Sequence, residues 1–266
     1  MEPFCKPEHI LGMEEPAHYR HKVHAAFGED RRHNIISGIY EEKSHRIVPV
    51  DSCYIETEQA DAIILTIREL LPSFKIRPYN EDTGYGLLRH VLIRKGFTSG
   101  EIMVCLVLNG KSRQSRERTF PEYLSGQQQL LDRLAQIRGM TSVSVSINTE
   151  RTNVIMGREI HTLWGKPTIS DTIHVRDMQK TGYPFTGQEL TFHISPQSFY
   201  QVNPVQTKKL YDKAVEYAGL TGKENVWDLY CGTGSISLFL AKHAGKVQGV
   251  EIIEQAILDA RENAER

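Results

Sequence analysis

Polar and apolar residues alternate with a period of two in RHKVHAAF, around Arg20 to Phe27, and in NIISGIY, around Asn34 to Tyr40. The charged GEDRR between them reads as a turn, so the pattern predicts a β-hairpin. From Thr57 to Leu71 the period changes. Ala60, Ile63, Ile64, Ile67, Leu70 and Leu71 recur at helical spacing, with Thr57 as N-cap and Pro72 as the stop. Strand-like runs follow at His90 to Arg94 and Glu101 to Asn109. A second helix is predicted over Tyr123 to Arg138, on the stripe Leu130, Leu131, Leu134 and Ile137, with Gly139 as its exit. TSVSVSIN, RTNVIMG, EIHTLWG and ELTFHIS then read as a series of short strands. Residues 1–190 are therefore expected to form an α+β domain with a largely antiparallel sheet and two helices.

The pattern shifts near Ser195. PVQTKKLYDKAVEYAGLTG places Leu210, Ala214 and Ala218 on one helical face beside Tyr211 and Val215, and ends at Gly219 or Gly222. A strand, NVWDLY, leads through CGTGS into a helical ISLFLAKHAG; a second strand, KVQGVE, leads into EQAILDARENAER. This β-α-β-α order over residues 191–266 is the opening of a doubly wound parallel sheet. Two parallel strands alone leave apolar faces and edges open, so the sequence reads as the first part of an incomplete α/β Rossmann-like domain.

Composition narrows the class. At 266 residues, 39% hydrophobic and 24% charged, the chain fits a globular protein and argues against disorder, collagen or coiled coil. No apolar run reaches membrane-spanning length, and the first twenty residues lack a secretory pattern, so the cytoplasm is the expected compartment. The four cysteines, Cys5, Cys53, Cys105 and Cys231, show no CxxC spacing and suit a reduced compartment. Net charge is -1, and acidic and basic residues balance on both sides of Leu190, so any nucleic-acid surface must be a local patch. The most basic segment is GKSRQSRERTFP, with Lys111, Arg113, Arg116 and Arg118. The histidines of HYRHKVHAAFGEDRRHN read first as solvated strand-face residues.

Candidate chemistry concentrates in Asp228-Leu-Tyr-Cys-Gly232-Thr-Gly234-Ser, which puts two glycines in a strand-to-helix turn where a backbone can approach a nucleoside. About twenty residues on, at the end of the next strand, Glu251 can accept hydrogen bonds from two ribose hydroxyls. The third glycine of a dinucleotide fingerprint is replaced by Ser237. The D-x-x-x-G-x-G form suits S-adenosylmethionine, which has no pyrophosphate to cradle.

Together with SPQSFYQVNPVQTKKLY before it and GVE after it, DLYCGTGS resembles the RNA uracil-5-methyltransferase family. HYRHKVHAAFG, SHRIVPVDSC, GLLRHVLIR and INTERTNVIMG are similar to segments of that family's upstream half, and the ribosomal-RNA branch is the nearer match. The resemblance implies an S-adenosylmethionine-dependent enzyme that makes 5-methyluridine in 23S ribosomal RNA. It implies cofactor contacts at Gln201, Tyr230 and Glu251, with Gly232 and Gly234 shaping the turn, and Phe199 near the target base. An amide suits the methionine end, an aromatic ring the cofactor surface and a carboxylate the ribose diol; an aromatic face can stack on an extruded uracil. Phe199 can equally be a core residue. Arg20, Lys22, Arg89 and Arg94 are candidate phosphate contacts.

The family's nucleophilic cysteine, in an SCNP-like motif, and its DPPR-like aspartate have no match, so the nucleophile is expected beyond Arg266 and the chain alone is expected to be inactive. Cys231 aligns with a non-nucleophile. His21 stands where the family has Asn. Cys53 matches the last ligand of the iron-sulfur cluster that many members carry, but no upstream ligands match, so no cluster is expected and no metal site is assigned. The family's N-terminal RNA-binding barrel has no match. A non-catalytic RNA-binding protein derived from the family is the alternative reading.

Overall fold

Period-two alternation in residues 22–29 sends Val23, Ala25 and Phe27 to one face of a strand, and all three are buried. They belong to the core of a seven-stranded sheet in the computed structural model, which describes residues 10–110, 122–176, 180 and 184–265. Its strands are β1 (Lys22–Glu29), β2 (Ile35–Tyr40), β3 (Ile47–Pro49), β4 (Leu88–Lys95), β5 (Ile102–Leu108), β6 (Met140–Ile147) and β7 (Glu159–Gly165), in the order β3-β2-β1-β4-β5-β6-β7. Every neighbouring pair is antiparallel except β5 and β6, which run parallel and are connected through helix α2 (Gln127–Ala135). Helix α1 (Glu58–Leu70) contributes Ala60, Ile63, Ile64 and Ile67 to the same core, and α2 contributes Leu130, Leu131 and Leu134.

IMVCLVL in β5 is buried along its whole length, because the opposite face of the sheet is covered too. There Met103 packs with Ile169, Ile194 and Tyr200. Ile169 and Ile194 belong to an antiparallel hairpin of β8 (Ile169–Arg176) and β9 (Phe185–Ile194). Beyond it lie α3 (Pro204–Ala218), β10 (Asn225–Asp228), α4 (Ser235–Ala241), β11 (Lys246–Gly249) and α5 (Glu254–Ala264), with β10 and β11 paired in parallel. Ile173 and Val175 of β8 and Phe192 of β9 share a second core with Tyr211, Val215, Phe239 and Leu240. Residue 190 lies inside β9. Among the described residues no helix is long and apolar enough to cross a membrane.

Four sequence expectations change. RTNVIMG is a loop rather than a strand, because the Asn148 amide donates to the carbonyls of Val154 (2.7 Å) and Ile155 (2.9 Å) and draws the chain away from sheet pairing. The second helix begins at Gln127 rather than Tyr123. Gly126 sits at φ 69 against the Phe74 ring, which an added Cβ would meet at 2.3 Å. On α3 the inward face is Thr207, Tyr211 and Val215, while Leu210 is exposed and Ala218 lies outside. Strand β8 escaped the alternation because Asp171 occupies one of its inward positions, where its carboxylate accepts from the Thr98 amide (2.8 Å). Lys111, Arg113, Arg116 and Arg118 lie outside the described residues.

Candidate cofactor and substrate site

Where β10 ends, Asp228 begins the turn into α4. Gly232 (φ 54) and Gly234 (φ 81) take left-handed backbone there, which glycine adopts without a Cβ clash. The turn is laced to the end of β11: Cys231 N donates to Val250 O (3.0 Å), and Val250 N donates to Asp228 O (2.8 Å). Glu251 sits at that junction. One carboxylate oxygen accepts from Ile252 N (2.8 Å) and Ile253 N (3.0 Å), the other from Gly232 N (3.1 Å). The Ile253 amide above all, with those of Ile252 and Gly232, outweighs desolvation and holds the carboxyl below its ordinary pKa. A braced, ionised acceptor thus stands beside a turn with room for a ligand, since a Cβ added at Gly232 would meet nothing within 4 Å.

Ser237, in the place of the missing third glycine, is a structural tie. Its hydroxyl donates to Asp228 Oδ2 (2.6 Å) and fastens α4 to the strand end, while Tyr230 N approaches Asp228 Oδ1 (3.3 Å). Nothing in the spacing signalled this, because serine is ordinary in an early helical turn.

Gln201 and Phe199 arrive at the same turn from the segment before α3. The Gln201 side chain lies beside the Tyr211 hydroxyl, which bonds Ser235 Oγ (2.8 Å), next to Gly234. Thr233 Oγ1 donates to the Phe199 carbonyl (3.2 Å). The Phe199 ring is 64% exposed, so it is not core packing; Tyr230 is 90% exposed on the turn itself. Cys231 is buried against Gly249, and burial, with the charges of Asp228 and Glu251, pushes its thiol up, away from nucleophilic thiolate.

The four candidate phosphate contacts divide. Arg89 is turned inward at 2% side-chain exposure. It donates to Glu81 (3.0 and 3.2 Å) and to the carbonyls of Asn148 (3.2 Å) and Glu150 (2.7 Å), with Tyr79 4.5 Å below the guanidinium. Arg94 is buried as well and donates to the carbonyls of Pro196 and Ser198. Both guanidinium groups are committed to the protein, which removes them from a phosphate-binding surface. Arg20 and Lys22 remain half-buried at the start of β1, Arg20 Nε donating to the Lys22 carbonyl (3.1 Å). Burial, then Arg94 and Arg20, lower the Lys22 ammonium to about 8. This crowding of like charge suits an anionic ligand. The strand-face histidines are not uniformly solvated: His33 is exposed, but His24 and His21 are half-buried. Cys53 is half-buried, its amide bonded to Asp61 (3.2 Å). Among the described residues no group of three or more His, Cys, Asp or Glu is placed to hold a metal ion.

Sequence reasoning missed Ser198, Asp259 and Asn263, three buried polar residues that hold the segment and the turn together. Asp259 and Asn263 both lie on α5, and their partners are remote in sequence.

A parallel β-α-β unit with a glycine turn and a braced acid at its second strand has the form of half of an α/β domain. The tRNA (uracil-5-)-methyltransferase family model matches residues 154–266. RNA methyltransferases of Clostridium acetobutylicum and of Halalkalibacterium halodurans are each 44% identical over 96% of this chain. The chain spans about half the length of these curated relatives, 50% in each case. A crystal structure of the Pyrococcus abyssi tRNA (uracil-54, C5)-methyltransferase with S-adenosyl-L-homocysteine superposes with a TM-score of 0.68 at 25% identity, covering 95% of this chain and 54% of that one. Over residues 154–266 the chain thus resembles the RNA uracil-5-methyltransferase family, and over nearly its whole length it is similar to RNA methyltransferases.

Proposed function

We propose that this chain supplies the RNA-recognition and cofactor-binding parts of an enzyme that transfers a methyl group from S-adenosylmethionine to uridine in 23S ribosomal RNA, forming 5-methyluridine in the cytoplasm. The observation that carries the reading is Glu251, held ionised by three backbone amides beside the Gly232–Gly234 turn. Its one remaining acceptor site, on the oxygen bonded to Gly232 N, suits a ribose hydroxyl; the Gln201 amide suits the methionine end, and the exposed Tyr230 ring can pack on the cofactor. The S-adenosyl-L-homocysteine in the Pyrococcus abyssi relative supports this choice of ligand, and the ribosomal substrate rests on the resemblance of SFYQVNP and its neighbours to that branch.

S-adenosylmethionine supplies an electrophilic methyl group. Uracil C5 is a weak nucleophile until a thiolate has added at C6; once C5 has taken the methyl group, a base must remove the C5 proton as the thiolate leaves C6 and the C5–C6 double bond re-forms. Neither buried cysteine is suited to that addition, since Cys231 is held as a thiol and burial pushes Cys105 up to about 12. We therefore assign the nucleophile to neither. What the described residues do is bind and orient. Phe199 offers an exposed ring for an extruded base, and Arg20 and Lys22 offer positive charge for the phosphates beside it. The cofactor-binding part begins ahead of residue 190, at β8, whose side chains share a core with α3 and α4.

Calorimetric titration with S-adenosyl-L-homocysteine tests the reading, with Glu251→Ala as control. Saturable binding that the substitution abolishes is expected. A folded chain that takes up no ligand overturns the cofactor assignment, and RNA affinity without cofactor affinity would favour a non-catalytic RNA-binding protein.

A further inference from the structure

Resting on that reading, we propose that Arg94, Ser198 and Asp259 form a buried relay that fixes the Phe199–Gln201 segment between the sheet and the cofactor turn, with Arg94 as a positioning residue. Arg94 projects from β4 at 3% exposure and donates to the carbonyls of Pro196 (3.3 Å) and Ser198. Ser198, also 3% exposed, passes the connection on through its hydroxyl to Asp259 Oδ2 of α5 (2.7 Å). The same hydroxyl accepts from Ser195 N (2.8 Å), and the other Asp259 oxygen accepts from Gln255 (3.0 Å).

One residue on, the Phe199 carbonyl accepts from Thr233 of the turn. The Thr233 carbonyl accepts from Asn263 of α5 (3.1 Å), and Asn263 accepts from His193 N of β9 (2.9 Å). The strip 195–199 is therefore gripped by the recognition sheet on one side and by α5 and the turn on the other.

Burying a guanidinium and a carboxylate is costly, and well-packed apolar residues would hold two elements together at least as firmly. What the charged, directional groups add is a single register. Both carbonyls accept from one terminal guanidinium nitrogen, Nη2, whose two N–H bonds lie in the guanidinium plane and set their directions, which a packed methyl group cannot do. The register matters because the strip carries Phe199, which is exposed, and runs on to Gln201, which lies beside the Tyr211 hydroxyl near the turn. Base-side and cofactor-side contacts thus share one rigid strip, and an error of an ångström there separates reacting partners.

The test combines hydrogen exchange of the ligand-free chain with S-adenosyl-L-homocysteine titration. Variants are Arg94→Met, Asp259→Asn and the milder Arg94→Lys and Ser198→Ala, which retain the test if the first two do not fold. In every folded variant, exchange in the peptides 195–201 and 254–264 is expected to rise together, roughly tenfold or more, while α1 keeps its protection. Arg94→Met is expected to weaken ligand binding on the order of tenfold, with Arg94→Lys restoring part of it. Exchange that rises in one peptide only, or in neither, overturns the relay. Unchanged ligand affinity in a folded Arg94→Met overturns its positioning role. If the unsubstituted chain binds no ligand, the cofactor reading fails, and the exchange pattern alone decides the relay.

Discussion

Arg89 reads from the sequence as a phosphate contact, whereas its surroundings make it a structural cation. Replacing it with Met keeps the aliphatic stem and removes every donor. Glu81, 17% exposed, then loses its partner, and the carbonyls of Asn148 and Glu150 lose theirs. Breaking a buried pair by deleting one member costs about 3–5 kcal/mol, chiefly because the other charge stays buried without compensation. At roughly 2–4 °C per kcal/mol for a unit of this size, the thermal midpoint of the sheet is expected to fall by about 6–20 °C. Trp164 on β7 packs against the same core, so its emission reports this unfolding; Trp227 is largely exposed and contributes less. RNA binding measured well below the midpoint is expected to keep its affinity and its salt slope. An unchanged midpoint, together with a salt slope reduced by about one, would refute the reasoning and restore Arg89 to the phosphate surface.

Two further outcomes follow from the same contacts. His90 is buried, and burial first, then Arg89, lower it from 6.5 to about 4. Because the folded value lies below the unfolded one, its contribution of about 3 kcal/mol is fully present above pH 6.5 and is lost as pH falls toward 4. Urea midpoints taken across that window should slope less steeply in His90→Phe, with a residual slope of the same sign from His24, also lowered to about 4. Gly249→Ala places a Cβ 2.9 Å from Cys231 Sγ and is expected to destabilise the β11 junction by about 1–3 kcal/mol. Cys231→Ala should recover part of that loss in a double-mutant cycle, and strict additivity would show that the two residues do not collide.

Most of the elements and the chemistry of the turn are legible in the order of residues along the chain. Period two in residues 22–29 and 35–40, the stripe from Ala60 to Ile67, and the two glycines followed by an acid at the next strand end are local signals. Each is set by backbone geometry within one element, so each is legible without knowing what packs on it. Tertiary structure decided what the polar residues do. Arg89 and Arg94 look alike in GLLRHVLIR, but one closes on Glu81 and a neighbouring loop while the other reaches across to Ser198. Asp171 hid a strand and Asp259 carried no local signal of its burial, since the partners that make their burial tolerable lie 73 and 61 residues away. Local periodicity records which side of an element is apolar. Whether a charge meets water, a carbonyl or another charge depends on chain segments brought together only by the fold.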